Sequence, residues 1–181
     1  MHEEVIVSGF GGQGALFAGQ LLTYTGMDEG YHVTWIPSYG PEMRGGTAHC
    51  TVILSDDPIG SPIIRNPTAA IVMNPPSMEK YEPLVKAGGV LVANSTLIRE
   101  RSKRDDIIVV YVPANDLATE LGNVKMANVV LLGALLATKP ILPVEALKKA
   151  MDDHIPEHRK HIIEPNKRAL DRGIEYTQKG Q

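Results

Sequence analysis

The chain opens with Glu3-Glu4-Val5-Ile6-Val7-Ser8-Gly9-Phe10-Gly11-Gly12-Gln13-Gly14, an apolar run followed by a cluster of glycines. Residues 15–27 then place their large apolar side chains at helical spacing. The order is therefore strand, glycine turn and helix, which is typical of the first unit of an α/β domain. Glycine permits the tight turn and a close approach of other groups to the backbone.

Apolar and β-branched residues between turn signals predict further strands at residues 32–36, 48–54, 69–73, 89–93 and 107–112. Helical spacing predicts helices at residues 77–85, 114–121, 124–138 and 144–151. Because the strands are continuous apolar runs, both faces of their sheet need a cover of helices. We therefore expect an α/β fold, a three-layer α/β/α (Rossmann-like) domain with a mostly parallel or mixed sheet.

The length of 181 residues fits one domain over residues 1–181. Residues 152–181 carry six acidic and six basic side chains, and Pro156 and Pro165 divide them, so we interpret this segment as a C-terminal helical tail on the core. The charge-free run at 126–138 has 13 residues, whereas a bilayer span takes about 20. It predicts a buried helix and no contact with a membrane.

Charge and cysteine content exclude several further classes. The formal charge of −3 leaves no basic excess to bind nucleic acid. The first residues show neither a basic region nor a cleavable apolar segment, from which we expect a cytoplasmic protein. Cys50 is the single cysteine, which excludes an internal disulfide and an iron-sulfur cluster held by this chain alone, since a cluster needs about four thiolates.

The first glycine loop matches the glycine spacing of two nucleotide-binding turns but lacks the side chains that complete either one. Gly9, Gly11 and Gly14 match the spacing of a dinucleotide-binding turn, but the second predicted strand ends in Ile36-Pro37-Ser38 without the carboxylate that binds the ribose. A P-loop is disfavoured because Ala15-Leu16 stands where Lys and Ser or Thr are needed. Alternatively, the glycines serve only the packing of the first helix or of a neighbouring subunit.

A second loop follows the second predicted strand, Ser38-Tyr39-Gly40-Pro41-Glu42-Met43-Arg44-Gly45-Gly46. It places a phenol, a carboxylate and a guanidinium on a glycine-rich segment. Loops that follow the strands of an open α/β sheet lie at the edge where such sheets bind ligands. We therefore expect the two glycine loops to lie at the same edge.

The two loops together resemble the gamma subunit of 2-oxoacid:ferredoxin oxidoreductases. Weaker motifs extend the resemblance over nearly the whole chain: Pro58-Ile59-Gly60-Ser61-Pro62-Ile63, Met73-Asn74-Pro75-Pro76-Ser77, Gly88-Gly89 followed by Asn94-Ser95, Asn128 with Leu132-Gly133-Ala134, and Asn166-Lys167-Arg168-Ala169 with Gly173. The resemblance implies a complex that oxidatively decarboxylates a 2-oxoacid, of the 2-oxoglutarate or pyruvate type, to acyl-CoA and CO₂ and reduces ferredoxin.

The same resemblance implies the distribution of cofactors and partners. Thiamine diphosphate, Mg and iron-sulfur clusters belong to partner subunits, coenzyme A is the co-substrate, and this chain holds no cofactor alone. The partners are alpha and beta subunits, with a ferredoxin-like delta subunit as an optional component, and ferredoxin is the acceptor. The chain is then a required component without catalytic or metal-binding residues of its own.

The candidate site comprises residues of both loops and one asparagine: Gly9, Gly11, Gly12, Gln13, Gly14, Ser38, Tyr39, Gly40, Pro41, Glu42, Arg44, Gly45, Gly46 and Asn74. One hypothesis has Gly11, Gly12, Gln13 and Arg44 donating hydrogen bonds to coenzyme A phosphates or to the substrate side of the channel. In the alternative, Glu42 and Arg44 pair with each other or with a neighbouring subunit.

Two other functions stay open from the sequence: a stand-alone dinucleotide-binding oxidoreductase and a purely structural scaffold.

Two further residue patterns do not predict a functional site. His154, His158 and His161 share a helical spacing, but no carboxylate or cysteine completes a metal site. His49 and Cys50 are adjacent in a predicted strand, so their side chains point to opposite faces and form no nucleophile-base pair.

Overall fold

The structure is a computed structural model that describes residues 1–38 and 47–180. Its strands are β1 (His2–Phe10), β2 (His32–Ser38), β3 (Thr47–Ser55), β4 (Ala69–Val72), β5 (Val90–Asn94) and β6 (Ile108–Val112). Its α-helices are α1 (Ala15–Asp28), α2 (Pro75–Tyr81), α3 (Ala114–Glu120), α4 (Ala127–Thr138), α5 (Val144–His154) and α6 (Ile163–Lys179). Short 3₁₀ turns cover Glu82–Leu84, Val124–Met126 and Glu157–Ile162.

The strands form one mixed sheet in the order β2-β3-β1-β4-β5-β6. Strands β1, β4, β5 and β6 pair in parallel, whereas β3 runs antiparallel to both of its neighbours, β1 and β2. This confirms the expected mostly parallel or mixed sheet. The antiparallel strand makes β2 and β3 a hairpin, so the chain turns back after residue 38 instead of crossing the sheet.

Helices cover both faces of this sheet. Along β1, Val5 and Val7 point into the core shared with α1 and α4, while Ile6 points into a second core beneath α2. Helix α5 packs against α1, and α6 packs against α4. The three-layer arrangement expected from the apolar strands is confirmed.

The apolar run at 126–138 is a buried helix, as predicted. Helix α4 lies between the sheet and α6, and its residues from Ala127 to Leu136 are buried. The predicted helix at 124–138 starts with a 3₁₀ turn, so its α-helical part begins only at Ala127. Within the described ranges 1–38 and 47–180, no helix is both long and apolar enough to cross a membrane.

The structure of the C-terminal tail, residues 152–180, differs from the prediction at one of its two prolines. Pro165 does not divide it, because this residue lies in the first turn of α6. A helix tolerates proline there, since the first N–H groups have no intrahelical acceptor. Pro156 lies between α5 and the following 3₁₀ turn, where the chain does break.

Helices α4 and α6 touch through their backbones. A Cβ built on Gly133 would overlap the carbonyl oxygen of Leu170, and one built on Gly173 would overlap the carbonyl oxygen of Val130. Because neither oxygen belongs to a side chain that could rotate away, the helices would have to separate to admit even a methyl group. Small residues in α4 thus allow close packing within the chain.

We predict that Gly173→Ala lowers the free energy of unfolding by about 2 to 3 kcal/mol, since over-packing at a backbone contact cannot relax locally. Urea unfolding measures the change. Gly60→Ala is the matched control, because a Cβ on Gly60 meets no atom within 4 Å, and it should change the stability by less than about 0.5 kcal/mol. Equal effects of the two substitutions would contradict the close-contact interpretation.

Candidate functional site

The two glycine loops approach one edge of the sheet. The first loop joins the end of β1 to α1, and the register pairs Gly9 with Ala48 and Phe10 with Thr47. Ser38, the last residue before the second loop, pairs with His49. Both ends of the second loop therefore lie beside the end of β1. Its predicted site residues lie outside the described residues: Tyr39, Gly40, Pro41, Glu42, Arg44, Gly45 and Gly46.

The first loop depends on glycine at two positive φ angles. Gly12 has φ 88° and Gly14 has φ 79°, a region that side chains with a Cβ rarely adopt. Gly14 is also the N-cap of α1, so no side chain caps the first N–H groups of this helix. A Cβ on Gly11 or Gly12 would meet no atom within 4 Å, which leaves the outer side of the loop open.

The side chain of Gln13 ties the loop together. The Phe10 N–H donates to Gln13 Oε1 at 2.5 Å, and the Gln13 N–H donates to the Phe10 carbonyl at 3.1 Å. The Asn74 amide also donates to Gln13 Oε1, at 3.4 Å. A Cβ on Gly9 would lie 2.7 Å from this oxygen, so a larger residue there would displace the Gln13 amide. The amide oxygen of Gln13 thus holds the loop in its conformation.

Asn74 supports the loop from below. It is fully buried at the end of β4, and its Oδ1 accepts the Ser77 N–H at 2.9 Å as the N-cap of α2. The hydroxyls of Ser8 and Ser77 form a buried hydrogen bond of 2.8 Å nearby. The structure therefore brings Asn74 together with Gln13, but it places Asn74 under the loop and not on its outer side.

Two further asparagines join this network without having been placed in the predicted site. Asn94, at the end of β5, donates to the Met73 carbonyl at 3.3 Å and accepts the Ala114 N–H at 3.2 Å. Asn128 donates to the Gly14 carbonyl at 2.9 Å and so fixes the start of α1. A sequence signal for Asn94 exists, because an apolar strand ends in asparagine at both Asn74 and Asn94.

A cleft of about 500 Å³ lies beside the first loop. Gly12 and Gly14 form one rim, and the opposite walls come from the segments at 121–128 and 159–168. The cations Lys125, Arg159 and Arg168 line it. Sequence reasoning missed this cleft because its residues lie far apart in the chain and belong to no common motif.

A second opening of about 560 Å³ borders the same loop. Its apolar lining comes from Phe10, Leu16, Phe17 and Trp35, and the side chains of Gln20 and Arg159 line it as well. The Phe10 side chain keeps 36% of its surface exposed. The loop thus borders a cationic cleft and a largely apolar groove, and Arg159 lines both of them.

The amino-acid sequence matches a known protein family over most of its length. Residues 4–176 match the family described as pyruvate ferredoxin/flavodoxin oxidoreductase. The chain belongs to this family.

Two relatives within this family have sequences similar to that of this chain. The chain is 32% identical over 180 residues to the 2-oxoglutarate synthase subunit KorC of Methanocaldococcus jannaschii, covering 97% of this chain and 94% of that one. It is 34% identical over 176 residues to the ketoisovalerate oxidoreductase subunit VorA of Methanothermobacter marburgensis, covering 97% of this chain but 36% of that one. The chain thus spans about a third of the length of VorA.

A solved structure in the same group has the same fold. The keto/oxoacid ferredoxin oxidoreductase gamma subunit of Geobacter sulfurreducens PCA superposes with a TM-score of 0.84 at 29% identity, covering 98% of this chain and 99% of that one. The expected resemblance to a gamma subunit is therefore confirmed.

The residues of this chain do not fit the iron-sulfur clusters that the resemblance implies for the complex. The sequence has one cysteine where a cluster needs about four thiolates. In the part of the chain that the structure describes, no group of three or more His, Cys, Asp or Glu side chains could hold a metal ion. His154 instead lies 2.9 Å from an Asp28 carboxylate oxygen and stacks on Tyr24.

Cys50 is a core residue and not a nucleophile. It is fully buried, its thiol donates to the Ala15 carbonyl at 3.4 Å, and burial raises the pKa of the Cys50 thiol to about 11. His49 lies on the opposite face against Tyr81, and burial, followed by the nearby Lys80 charge, lowers the pKa of the His49 imidazole. The expected separation of the two side chains is confirmed.

We predict that the folded chain resists alkylation by iodoacetamide at pH 8 at least about 100-fold more than the urea-unfolded chain, since the thiolate is the reacting form and its pKa is raised by burial. Mass spectrometry after timed quenching measures the rates. Equal rates would contradict the buried, protonated thiol.

The same shift sets a pH dependence of stability. Because the folded thiol keeps its proton to a higher pH than the unfolded one, its contribution is fully present below pH about 9 and is lost as the pH rises toward 11. The unfolding free energy of the natural chain should therefore fall more steeply over this range than that of Cys50→Ala, which serves as the control.

Proposed function

We propose that this chain is the gamma component of a multi-subunit 2-oxoacid oxidoreductase. The complex would convert a 2-oxoacid and coenzyme A to acyl-CoA and CO₂, with release of a proton, and pass the two electrons to ferredoxin or a comparable acceptor. The match to the family over residues 4–176 carries this proposal. The similarity to KorC, which is nearly equal in length, supports 2-oxoglutarate as a substrate candidate, and VorA supports a branched 2-oxoacid.

Partner subunits would supply the reacting groups. Thiamine diphosphate with Mg would supply the carbanion chemistry, and iron-sulfur clusters would carry the electrons. Alpha and beta subunits, with a ferredoxin-like delta subunit as an optional component, would hold these groups. We place the complex in the cytoplasm.

The edge that carries the glycine loops is the side we assign to the partner subunits. Phe10 keeps 36% of its surface exposed there, and it lines the apolar groove beside α1 together with Leu16, Phe17 and Trp35. Large apolar side chains grouped at one edge are stabilised when a partner covers them. The loops would then face the channel that leads to the reacting centre.

Within that channel, the backbone of Gly11 and Gly12 and the guanidinium of Arg44 would bind coenzyme A phosphates or the substrate. The open outer side of Gly11 and Gly12 supports this role, because a ligand can approach their N–H groups without meeting a side chain. A guanidinium on the neighbouring loop matches the geometry of a phosphate.

Anaerobic affinity purification from the native source tests the complex. We expect subunits with thiamine diphosphate and iron-sulfur clusters to co-purify, and the assembly to reduce a viologen dye in a reaction that needs coenzyme A and one of a panel of 2-oxoacids. A chain that is recovered alone under conditions that preserve such complexes would contradict the proposal. Saturable binding of NAD(H) by that chain would then favour the dinucleotide-binding alternative.

Arg44→Ala tests the loop itself in the assembled complex. Loss of one charge-assisted hydrogen bond should raise the KM for coenzyme A or the 2-oxoacid about 10-fold or more, with assembly intact. Arg65→Ala is the control, since Arg65 precedes β4 at the opposite edge of the sheet, and it should leave both KM values unchanged. An unchanged KM in Arg44→Ala would favour the alternative in which Glu42 and Arg44 only fix the loop.

A further inference from the structure

A buried polar cluster lies between α2 and the strands β1 and β3. Ser8 and His49 are register partners on these neighbouring strands, so their side chains lie side by side on one face of the sheet. Ser77 and Tyr81 are one turn apart in α2 and therefore point to the same side of the helix. Both serines are fully buried, and Tyr81 keeps only 3% of its surface exposed. Four polar side chains thus meet at the margin of an otherwise apolar core.

Two atoms of this cluster have no hydrogen-bond partner. The hydroxyls of Ser8 and Ser77 bond to each other at 2.8 Å. Among the residues that the structure describes, neither the Tyr81 hydroxyl nor Nδ1 of His49 has a partner, although both atoms are buried. A buried polar atom without a partner destabilises the folded state, and such atoms are usually paired with another group or with an ordered water.

The two unpaired atoms belong to neighbouring rings. The ring centres of His49 and Tyr81 lie 5.6 Å apart, with the ring planes tilted by 55°. Burial, followed by the nearby Lys80 charge, lowers the pKa of the His49 imidazole, so the ring is neutral at pH 7. A phenol both donates and accepts, and Nδ1 of a neutral imidazole does one or the other according to its tautomer. The partner of these two atoms therefore needs no charge.

We propose that one ordered water molecule binds in this cluster and bridges the Tyr81 hydroxyl and Nδ1 of His49. Water suits the two atoms because it both donates and accepts, and buried waters make about three hydrogen bonds with polar groups. The Ser8 hydroxyl, beside His49, offers the third partner. An anion suits the cluster less well, since the burial that keeps His49 neutral also penalises a buried negative charge.

The bound water fastens the end of α2 to the sheet. Helix α2 packs chiefly on β1 and β4, and its first residue follows Asn74, which supports Gln13 of the first loop. The bridge from Tyr81 to His49 adds a connection to β3 at the other end of this helix. Both ends of α2 are then held by polar contacts, and the position of Asn74 under the loop depends in part on a solvent molecule.

The sign of one substitution tests the site. Tyr81→Phe removes the hydroxyl and keeps the ring against His49. If a water pairs with this hydroxyl, the melting temperature of the full chain should fall by about 2 °C or more, because satisfied hydrogen bonds are lost. If the hydroxyl is unpaired, its removal takes away a buried polar atom. The melting temperature would then stay the same or rise, and that result would overturn the proposal.

Tyr24→Phe is the matched control. The Tyr24 ring also contacts a histidine, with its centre 4.4 Å from that of His154. Tyr24 is only half-buried, and its hydroxyl is not among the buried atoms without a partner in the described ranges. Its loss should change the melting temperature by less than about 1 °C. Equal falls in the two variants would reflect the loss of any tyrosine hydroxyl and would contradict a water specific to Tyr81.

A high-resolution crystal structure of the full chain locates the water directly. We expect a density peak within about 3.2 Å of both the Tyr81 hydroxyl and Nδ1 of His49. A structure in which both side chains are well ordered and no such peak lies between them would overturn the proposal, as would density for a larger ligand there. Neither measurement needs partner subunits or turnover, so the outcome is independent of the co-purification experiment.

Discussion

The backbone contact between α4 and α6 is the constraint that sets the shape of the cleft beside the first glycine loop. Gly133 and Gly173 let the two helices meet with no side chain between them. Helix α4 lies against the sheet, so this contact holds the tail at a fixed distance from the strands. The segment before α4 carries Lys125 and α6 carries Arg168, and the two walls of the cleft therefore have their spacing set in the core.

The glycine loop is ordered by amide side chains and not by charges. Gln13 joins the two ends of the turn, Asn74 supports Gln13 from the end of β4, and Asn128 holds the carbonyl of Gly14. Neutral amides both donate and accept, so one side chain can satisfy several backbone groups in a buried position. This leaves the surface of the loop free of fixed charge, and the cations stand beside it.

The secondary structure and the first glycine turn could be predicted from the sequence, because they depend on residues that are close together in the chain. The glycine turn between an apolar run and a helix gives the first unit of the fold, and apolar runs give the strands. Long-range juxtapositions were not accessible: Lys125 and Arg159 share a cleft only because α6 folds back on α4, and no periodicity encodes that contact. The break expected at Pro165 was wrong, since a proline near a helix start and one between helices look alike in sequence.

The hairpin of β2 and β3 has a consequence for how such chains diversify. Ser38 and Thr47 are anchored by strand pairing to His49 and Phe10, so the segment between them is attached to adjacent strands of a finished sheet. Residues can be inserted, deleted or exchanged there without moving the register of β1 or the packing of α1, since loop closure costs little for each added residue. Natural variation in this segment could retune the chemistry at the loop edge while the scaffold stays the same.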